Sequence, residues 1–275
     1  MVPVVYGASM VADAQSFSPS AAKPRAVVAS WRRRFPPLVF EAPEAASVGT
    51  LCLAHDAEYV RGVLACRLPN GFGNHLAEVA ASLPWTTGAM VTAARLALQG
   101  GCAVAPVSGF HHACHDRGGG YCTFNGLVVA AQVMRREQRL RRVGILDFDQ
   151  HYGNGTADIL RVLGLDWIEH YSAAAEWDRP DQAEAFLARI PVLMARFATC
   201  DLLLYQAGAD PHVDDPLGGW LTTAQLRQRD RLVFEYCHAH RLPVAWNLAG
   251  GYQTPLRKVV AIHDNTLIEC LACFG

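Results

Sequence analysis

Between residues 125 and 270 the sequence alternates between helix-like segments and short apolar segments. The apolar segments are nearly continuous runs of hydrophobic residues, which is typical of strands covered on both faces. Because parallel strands need crossover connections, this alternation predicts an α/β fold with a parallel sheet and helices on both of its faces. The predicted strands are residues 2–6, 48–53, 102–106, 143–146, 166–169, 202–205 and 244–248. The predicted helices are residues 23–35, 57–66, 87–99, 125–136, 156–163, 182–197, 224–240 and 255–270.

The bulk sequence favours one globular unit. The chain has 275 residues, of which 51% are hydrophobic, and it contains no internal repeat, linker or break in composition. We therefore expect residues 1–275 to form a single domain. The 24 Lys and Arg residues nearly balance the 25 Asp and Glu residues, giving a formal net charge of −1. This balance gives no general attraction to nucleic acid or to an anionic membrane, so neither is an expected partner.

Two further features bear on where the chain works. No apolar run approaches the roughly 20 residues of a membrane span, and the N-terminus lacks the layout of a signal peptide. The nine cysteines are an odd number scattered through predicted core segments, which fits reduced thiols better than disulfides. We therefore expect a cytoplasmic protein. Cys270 and Cys273 form a C-x-x-C pair, but packed helix residues are a better interpretation than a redox or zinc pair.

Polar residues follow the predicted strands at the points where these strands end. They include His111 and His112 after residues 102–106, Asp147 and Asp149 after residues 143–146, and Asp210 after residues 202–205. In open α/β sheets ligands bind at the carboxyl ends of the strands. The sequence therefore predicts a functional site at this edge of the sheet.

The best candidates for metal ligands are Asp149, His151 and Asp210. One imidazole nitrogen and two carboxylates suit Zn²⁺ or Fe²⁺ and leave a coordination position open for chemistry. An Asp-x-Asp after a strand is also common as a simple turn or helix cap, so the motif alone does not decide. A dimanganese site would need further carboxylates, for which only Asp147 and the pair at 214–215 are nearby.

The adjacent histidines His111 and His112 are poor joint ligands, because consecutive side chains usually diverge. On an irregular loop both can face one pocket, each held by its own hydrogen-bond partner. Asp147 and Asn154 are the candidates for these partners, and a histidine polarised in this way can act as a general base. The alternative is that both are loop histidines without a catalytic role. At residues 250–252, a Gly-Gly-Tyr turn presents Tyr252, whose hydroxyl could donate to a developing oxyanion.

Together these segments resemble the histone deacetylase family, the zinc-dependent deacetylases that include bacterial acetylpolyamine and acetoin-utilisation relatives. The resemblance covers roughly residues 104–252, and the matching stretches are residues 109–113, 119–125, 147–156, 208–210, 215–218 and 250–252. It implies the arginase-deacetylase α/β fold, with a central parallel sheet of about eight strands. It also implies Zn²⁺ as the cofactor, with Fe²⁺ as the alternative, and a structural monovalent cation as a further candidate.

The resemblance implies a role for each candidate residue. It places the metal ligands at Asp149, His151 and Asp210. It places the catalytic groups at the tandem histidines, their two hydrogen-bond partners and the oxyanion donor, which are His111, His112, Asp147, Asn154 and Tyr252. It places substrate contacts at Gly120, which accepts the substrate amide, at Tyr121, an aromatic wall of the acyl-lysine tunnel, and at Leu217, an apolar pocket position.

Three departures from the family pattern concern the substrate. Residues 18–25 lack the usual His-Pro-Glu segment, the segment after residues 170–172 lacks the glycine-rich aromatic loop of the opposite tunnel wall, and the chain is short. The leading hypothesis is a zinc-dependent deacetylase acting on the linear amide bond of acyl-lysine, an acylpolyamine or another small acylated amine. The alternatives are a catalytically silent acyl-ligand or partner-binding protein on the same fold and a dimanganese ureohydrolase. A homo-oligomer is compatible with either enzyme.

Overall fold

The computed structural model of the protein describes residues 1–35 and 37–275. Seven strands form one sheet: β1 (Pro3–Val5), β2 (Val39–Glu41), β3 (Cys102–Ala105), β4 (Val143–Asp147), β5 (Ile168–Ser172), β6 (Leu202–Gln206) and β7 (Val244–Asn247). The α-helices are α1 (Lys23–Arg34), α2 (Val48–Leu51), α3 (Ala57–Leu64), α4 (Ala77–Gly100), α5 (Gly126–Gln138), α6 (Asn154–Leu163), α7 (Ala183–Met194), α8 (Thr223–Ala239) and α9 (Arg257–Phe274).

The strands lie in the order β2-β1-β3-β7-β6-β4-β5, and every neighbouring pair is parallel. This confirms the predicted α/β fold with a parallel sheet, although the described residues contain seven strands instead of about eight. All carboxyl ends of the strands consequently point to one edge. The order also makes β4, β6 and β7 neighbours, so the loops that follow them meet at the centre of that edge.

Both faces of the sheet are buried, and successive residues of a strand point to opposite faces. In β4, Leu146 belongs to the hydrophobic cluster that includes Trp31 of α1 and Phe234 of α8, whereas Ile145 belongs to the cluster that includes residues of α4 and α5. Residues 202–204 alternate between these clusters in the same way. The predicted covering of both faces by helices is thus confirmed.

The prediction of a strand at residues 48–53 is wrong. Residues 48–51 form the short helix α2, because the Ser47 hydroxyl accepts the Thr50 N–H at 3.0 Å and caps this turn. The apolar side chain of Leu51 then fills a small cluster beside α3, so its hydrophobicity reflects helix packing. The second strand is Val39–Glu41, at the edge of the sheet. With three residues, of which the last is charged, it is too short to show the alternation of apolar and polar residues that marks a strand.

Several other boundaries also differ from the prediction. Helix α4 begins at Ala77, ten residues earlier than expected, and continues through Pro84. Strand β5 runs from Ile168 to Ser172 instead of covering residues 166–169. Its end is hard to find from sequence because His170 and Ser172, which lie beside the site, are polar. Asp56 caps α3, accepting the N–H groups of residues 58 and 59.

The nine cysteines are free thiols in the structure. Cys270 is buried and Cys273 is half-buried on α9, where both pack as helix residues against neighbouring core segments. The Cys270 sulfur lies 3.4 Å from the sulfur of Cys102 on β3. Among the described residues, none of the helices has the length and apolar character that crossing a membrane requires.

A buried histidine ties together the two segments that approach the sheet edge after β3. The Nδ1–H of His55 donates to the carbonyl oxygen of Cys114 at 2.8 Å, and its Nε2 accepts the Asn125 N–H at 2.7 Å. Burial lowers the pKa of His55 to about 4. The ring is therefore neutral at pH 7 and serves as a fixed connector between the histidine loop and the start of α5.

This histidine makes the fold sensitive to acid. An unfolded His55 takes up a proton near pH 6.5 and the folded one only near pH 4, so the unfolded state binds more protons between these values. Stability is therefore lost as the pH falls through this window, by on the order of 3 kcal/mol from this group alone. Urea unfolding at pH 7 and pH 4.5 measures the effect. The His55→Gln variant should lose less stability over that interval than the wild type, and equal losses would contradict the assignment.

Candidate metal centre and active site

Three loops bring the candidate ligands together. Asp149 and His151 follow β4, Asp210 follows the neighbouring strand β6, and residues 250–252 follow β7. The ligand atoms of Asp149, His151 and Asp210 lie within 4.8 Å of one another. The structure thus assembles the three residues that the sequence singled out as a metal-binding set.

The ligand atoms converge on one point. His151 directs its Nδ1 between the two acids, 3.3 Å from Asp149 Oδ1 and 3.3 Å from Asp210 Oδ2. Asp210 Oδ2 is buried without a hydrogen bond from any described residue. A buried carboxylate oxygen without a donor is costly unless a cation stands beside it. The arrangement therefore fits a divalent ion.

Backbone groups hold the two carboxylates in place. The Gly250 N–H donates to Asp149 Oδ2 at 2.8 Å, and the Gln150 N–H lies 3.2 Å from Asp210 Oδ1. A Cβ atom at position 250 would lie 2.0 Å from Asp210 Oδ2 and 2.9 Å from Asp149 Oδ2. Only glycine at this position lets the loop after β7 approach the ligands so closely.

The electrostatics of the cluster also favour a cation. Burial and the neighbouring charge of Asp149 raise the pKa of Asp210 to about 7. The hydrogen bond to Asp149, together with the adjacent carboxylate of Asp210, raises the pKa of His151 to about 10, so without a cation the ring holds a proton. A divalent ion would replace this proton and neutralise both carboxylates, since metal ligands bind in their deprotonated forms.

The tandem histidines both face the cluster, each with its own partner. His111 is buried, and its Nδ1 donates to Asp147 Oδ2 at 2.7 Å, while its Nε2 lies 3.6 Å from Asp149 Oδ1. The Nδ1 of His112 donates to Asn154 Oδ1 at 2.6 Å. The two rings are 4.0 Å apart, measured between centroids. The irregular loop after β3 therefore does allow adjacent histidines to share one pocket.

The two histidines differ in basicity because their partners differ. Burial works to lower the pKa of His111, but the carboxylates of Asp147, Asp149 and Asp210 outweigh it and raise that pKa to about 9. The pKa of His112 is lowered by burial and by the neighbouring His111. In the absence of a bound cation, His111 thus keeps a proton at pH 7 and His112 is a free base.

An aromatic surface lines one side of the pocket. The Tyr121 ring lies 5.7 Å from the Tyr252 ring and 5.8 Å from the Phe72 ring. Gly120 precedes Tyr121 at a positive φ of 51°, and a Cβ there would lie 2.4 Å from the Cδ2 atom of His112. Glycine at this position lets the turn lie directly against the tandem histidines.

Asp215 fixes two of the other candidate residues. Its Oδ2 accepts the Tyr252 N–H at 2.8 Å, and its Oδ1 accepts the Leu217 N–H at 3.1 Å. Tyr252 is largely buried, whereas the Leu217 side chain is partly exposed at the rim. Burial, followed by the charges of Asp210 and Asp149, raises the pKa of the Tyr252 phenol, so its hydroxyl remains a donor at neutral pH.

The carboxylates that a dimanganese centre would need are occupied elsewhere. Asp147 Oδ1 accepts from Gln206 at 3.1 Å, in addition to its bond with His111. Asp214 is exposed beside Lys258, and Asp215 holds backbone N–H groups. Across residues 1–35 and 37–275, the Asp149, His151 and Asp210 set is the one group with metal-ligand geometry.

The family comparison agrees with this geometry. The profile of the histone deacetylase domain matches residues 22–163 and 170–267. The chain belongs to the histone deacetylase family. This is a family of zinc-dependent deacetylases, and the Asp149, His151 and Asp210 cluster of this family member is consistent with a family-typical zinc site.

Relatives of this histone deacetylase family member occur in bacteria. It is 29% identical over 245 residues to an uncharacterized protein of Picosynechococcus, a match that covers 77% of this chain and 78% of the other. It is 42% identical over 137 residues to acetylpolyamine amidohydrolase 2 of Pseudomonas aeruginosa, and this match covers 39% of each chain. The second match thus spans well under half of that relative.

The fold agrees with solved structures of the family. The crystal structure of the HDA15 HD domain superposes with a TM-score of 0.80 over 98% of this chain and 90% of that chain, at 21% identity. At this identity the likeness concerns the fold. The predicted arginase-deacetylase fold is confirmed by it.

Sequence reasoning missed two residues of the pocket of this family member. Lys23 is fully buried, and its Nζ donates to the carbonyl oxygens of Ala249 at 2.5 Å and Gly250 at 3.1 Å. Phe72 extends the aromatic surface from the loop between α3 and α4. A lysine at the start of a helix normally faces solvent, and no local pattern distinguishes one that reaches across the fold.

Proposed function

We propose that residues 1–275 form one catalytic domain that hydrolyses the amide bond of an acylated amine with the help of Zn²⁺. The observation that carries the proposal is the convergence of a buried Asp–His–Asp set, two differently held histidines and a phenol on one pocket. When bound, the zinc ion supplies Lewis acidity toward the acyl oxygen and activates a water molecule. The residues around it supply binding and proton transfer.

His112 is the proposed general base. Its Nδ1–H is committed to Asn154, which leaves Nε2 as the proton acceptor, and its lowered pKa keeps that nitrogen free at pH 7. His111, whose Nδ1 donates to Asp147, is placed to help protonate the departing amine. The difference between an amide partner and a carboxylate partner thus separates the two roles.

Tyr252 is the proposed donor to the oxygen that gains negative charge. Its hydroxyl is neutral at working pH, and its backbone is fixed by Asp215 beside the metal ligands. Tyr121 lies across from it and offers an aromatic face to the alkyl chain of the substrate, while the Gly120 carbonyl can accept the substrate amide. Leu217 is the proposed apolar contact at the rim, next to the Asp215 that also holds Tyr252.

The entrance favours a substrate that is recognised by its acyl-amine end. The loop after β5 carries one large aromatic residue, Trp177, whose side chain points away from the pocket. Its Nε1 donates to the Tyr171 hydroxyl at 3.0 Å, and its ring lies 5.7 Å from the Phe186 ring. This loop therefore supplies no opposite wall to grip a peptide. The similarity to an acetylpolyamine amidohydrolase supports a small or exposed acylated amine.

We predict that flanking peptide residues contribute little to turnover. Between an acetyl-lysine amide and acetyl-lysine within longer peptides, kcat/KM should change by less than about tenfold, which corresponds to about 1.4 kcal/mol of transition-state binding. Steady-state kinetics on a matched series of lengths measures this. A steep rise of kcat/KM with peptide length would contradict an open entrance.

The proposed activity is tested by screening the zinc-loaded protein against acetyl-lysine peptides, acetylpolyamines and longer acyl-lysines side by side. Release of free amine by the wild type, together with its loss in a His112→Ala variant that still binds zinc, is the expected result. Zinc binding without amine release from any of these classes would argue against an amide hydrolase.

A further inference from the structure

A fully buried arginine lies beneath the two loops that carry the acidic ligands. Arg229 is on α8, in the middle of the hydrophobic core between that helix and the sheet, and no part of its side chain reaches solvent. A buried guanidinium is costly unless each charge and donor has a partner. Its contacts therefore indicate what it is placed there to hold.

One nitrogen of this guanidinium connects the two loops. The Nη1 atom donates to the Phe148 carbonyl oxygen at 2.9 Å and to the Gly208 carbonyl oxygen at 2.8 Å. Phe148 is the residue before the ligand Asp149, and Gly208 lies two residues before the ligand Asp210. The same donor group thus bridges the backbone on either side of the metal-binding pocket.

The two loops need such a connection because they carry like charges at close range. A Cβ atom on Gly208 would lie 2.8 Å from the Asp149 Cα and 2.6 Å from Asp210 Oδ1, so the loops are in direct contact. Two buried carboxylates repel each other most strongly where water is excluded. A fixed cation behind the loops opposes their separation before any metal is bound.

The guanidinium is itself anchored on its other side. Asp230 Oδ1 lies 2.9 Å from Arg229 Nε and 2.8 Å from its Nη2. Asp230 also accepts from the Tyr205 hydroxyl of β6 at 2.5 Å and from the Thr266 hydroxyl of α9 at 2.7 Å. Arg229 therefore has one orientation, set by three different elements of the fold.

We propose that Arg229 is a positioning residue of the metal centre, which holds the loops of Asp149 and Asp210 at the spacing that binds a divalent ion. The proposal rests on the metal site of the proposed function. A purely structural arginine would affect stability alone. A positioning residue changes metal affinity in a protein that is still folded, because the two acids are then free to move apart.

The test is the zinc dissociation constant of the metal-free protein, measured by competition with a chromophoric chelator, together with the melting temperature. Arg229→Lys keeps the charge but offers a shorter, single-point donor that cannot pair with Asp230 and both carbonyls at once. The Arg229→Met, Asp230→Asn double variant removes the buried ion pair as a unit. Both should weaken zinc binding roughly 10- to 100-fold, the usual effect of losing a group that orients metal ligands.

Two further variants keep the test decisive. Thr266→Val removes one hydrogen bond to Asp230 without a change of shape, so it should fold and lose zinc affinity in the same direction by a smaller factor. Arg227→Met is the matched control: Arg227 is also on α8 and pairs with Glu269 of α9 at 2.6 Å, but it does not contact the ligand loops. It should lower the melting temperature and leave zinc affinity unchanged.

The outcomes separate this proposal from the proposed function. Zinc affinity within twofold of the wild type in every folded variant at positions 229 and 266 would overturn the role of Arg229. A wild-type protein that binds no zinc would instead remove the metal centre itself. Weaker zinc binding in the Arg227→Met control, equal to that of the Arg229 variants, would reduce the effect to general destabilisation.

Discussion

Replacing Asp210 with alanine is expected to remove both the bound divalent ion and all measurable hydrolysis. Asp210 Oδ2 is the buried oxygen that has no donor among the described residues, and it faces His151 Nδ1 at 3.3 Å. Without it the pocket keeps only two ligand side chains, too few for the three protein ligands of a catalytic zinc site. The decrease in metal affinity should exceed the roughly 10- to 100-fold decrease that follows removal of a group that only orients a ligand.

Metal content after dialysis and kcat/KM on an active substrate measure this result. Asp149→Ala should behave in the same way, since it removes the other carboxylate of the set. Asp214→Ala is the control, because that exposed acid lies in the same loop beside Lys258 and contributes no ligand atom. Full metal occupancy in both the Asp149 and the Asp210 variant would remove the assignment of the centre.

The second large effect is expected for Tyr252→Phe, which should reduce kcat by on the order of 10² to 10³. A neutral phenol makes its strongest hydrogen bond to an oxygen that is gaining charge, so the hydroxyl acts mainly in the transition state. The substitution keeps the ring beside Tyr121, and it keeps the backbone bond to Asp215, because the N–H makes that bond. Fold and zinc content should therefore be unchanged.

The kinetic pattern distinguishes this role from packing. Tyr121→Phe is the matched control, since it removes a hydroxyl from the adjacent ring, which lies 5.7 Å away, and it should affect kcat far less. If Tyr252 merely filled the turn after Gly250, its variant would lose melting temperature and keep its rate. Near-normal kcat on a good substrate would take Tyr252 out of the mechanism.

The parts of this molecule that sequence could predict are those governed by local rules. The acids after β4 and β6 were expected at one sheet edge, because parallel strands align their carboxyl ends wherever the strands occur. The same rule placed the histidines after β3 and the turn after β7. It needs only the approximate positions of the strands, so the error at residues 48–53 did not affect the predicted site.

The parts that sequence could not predict depend on contacts between distant segments. Lys23 reaches carbonyls 226 and 227 residues away in the chain, and Arg229 reaches one that is 81 residues away. Charged residues in helices are ordinarily solvent-exposed, so local composition gives no sign of their burial. Only the folded arrangement shows that both support the backbone of the pocket.

The order of the strands determines when the candidate metal site can form during synthesis and folding of the chain. Strand β7 lies between β3 and β6 in the sheet and is the last strand to be synthesised, and the turn at residues 250–252 follows it. The centre therefore closes only after pairings of large sequence separation, which form slowly because their loop entropy must be overcome first. A nascent or truncated chain that ends before the turn at residues 250–252 has both acids but lacks the Gly250 N–H that holds Asp149. We therefore expect metal binding at Asp149, His151 and Asp210 only in chains long enough to include the turn at residues 250–252.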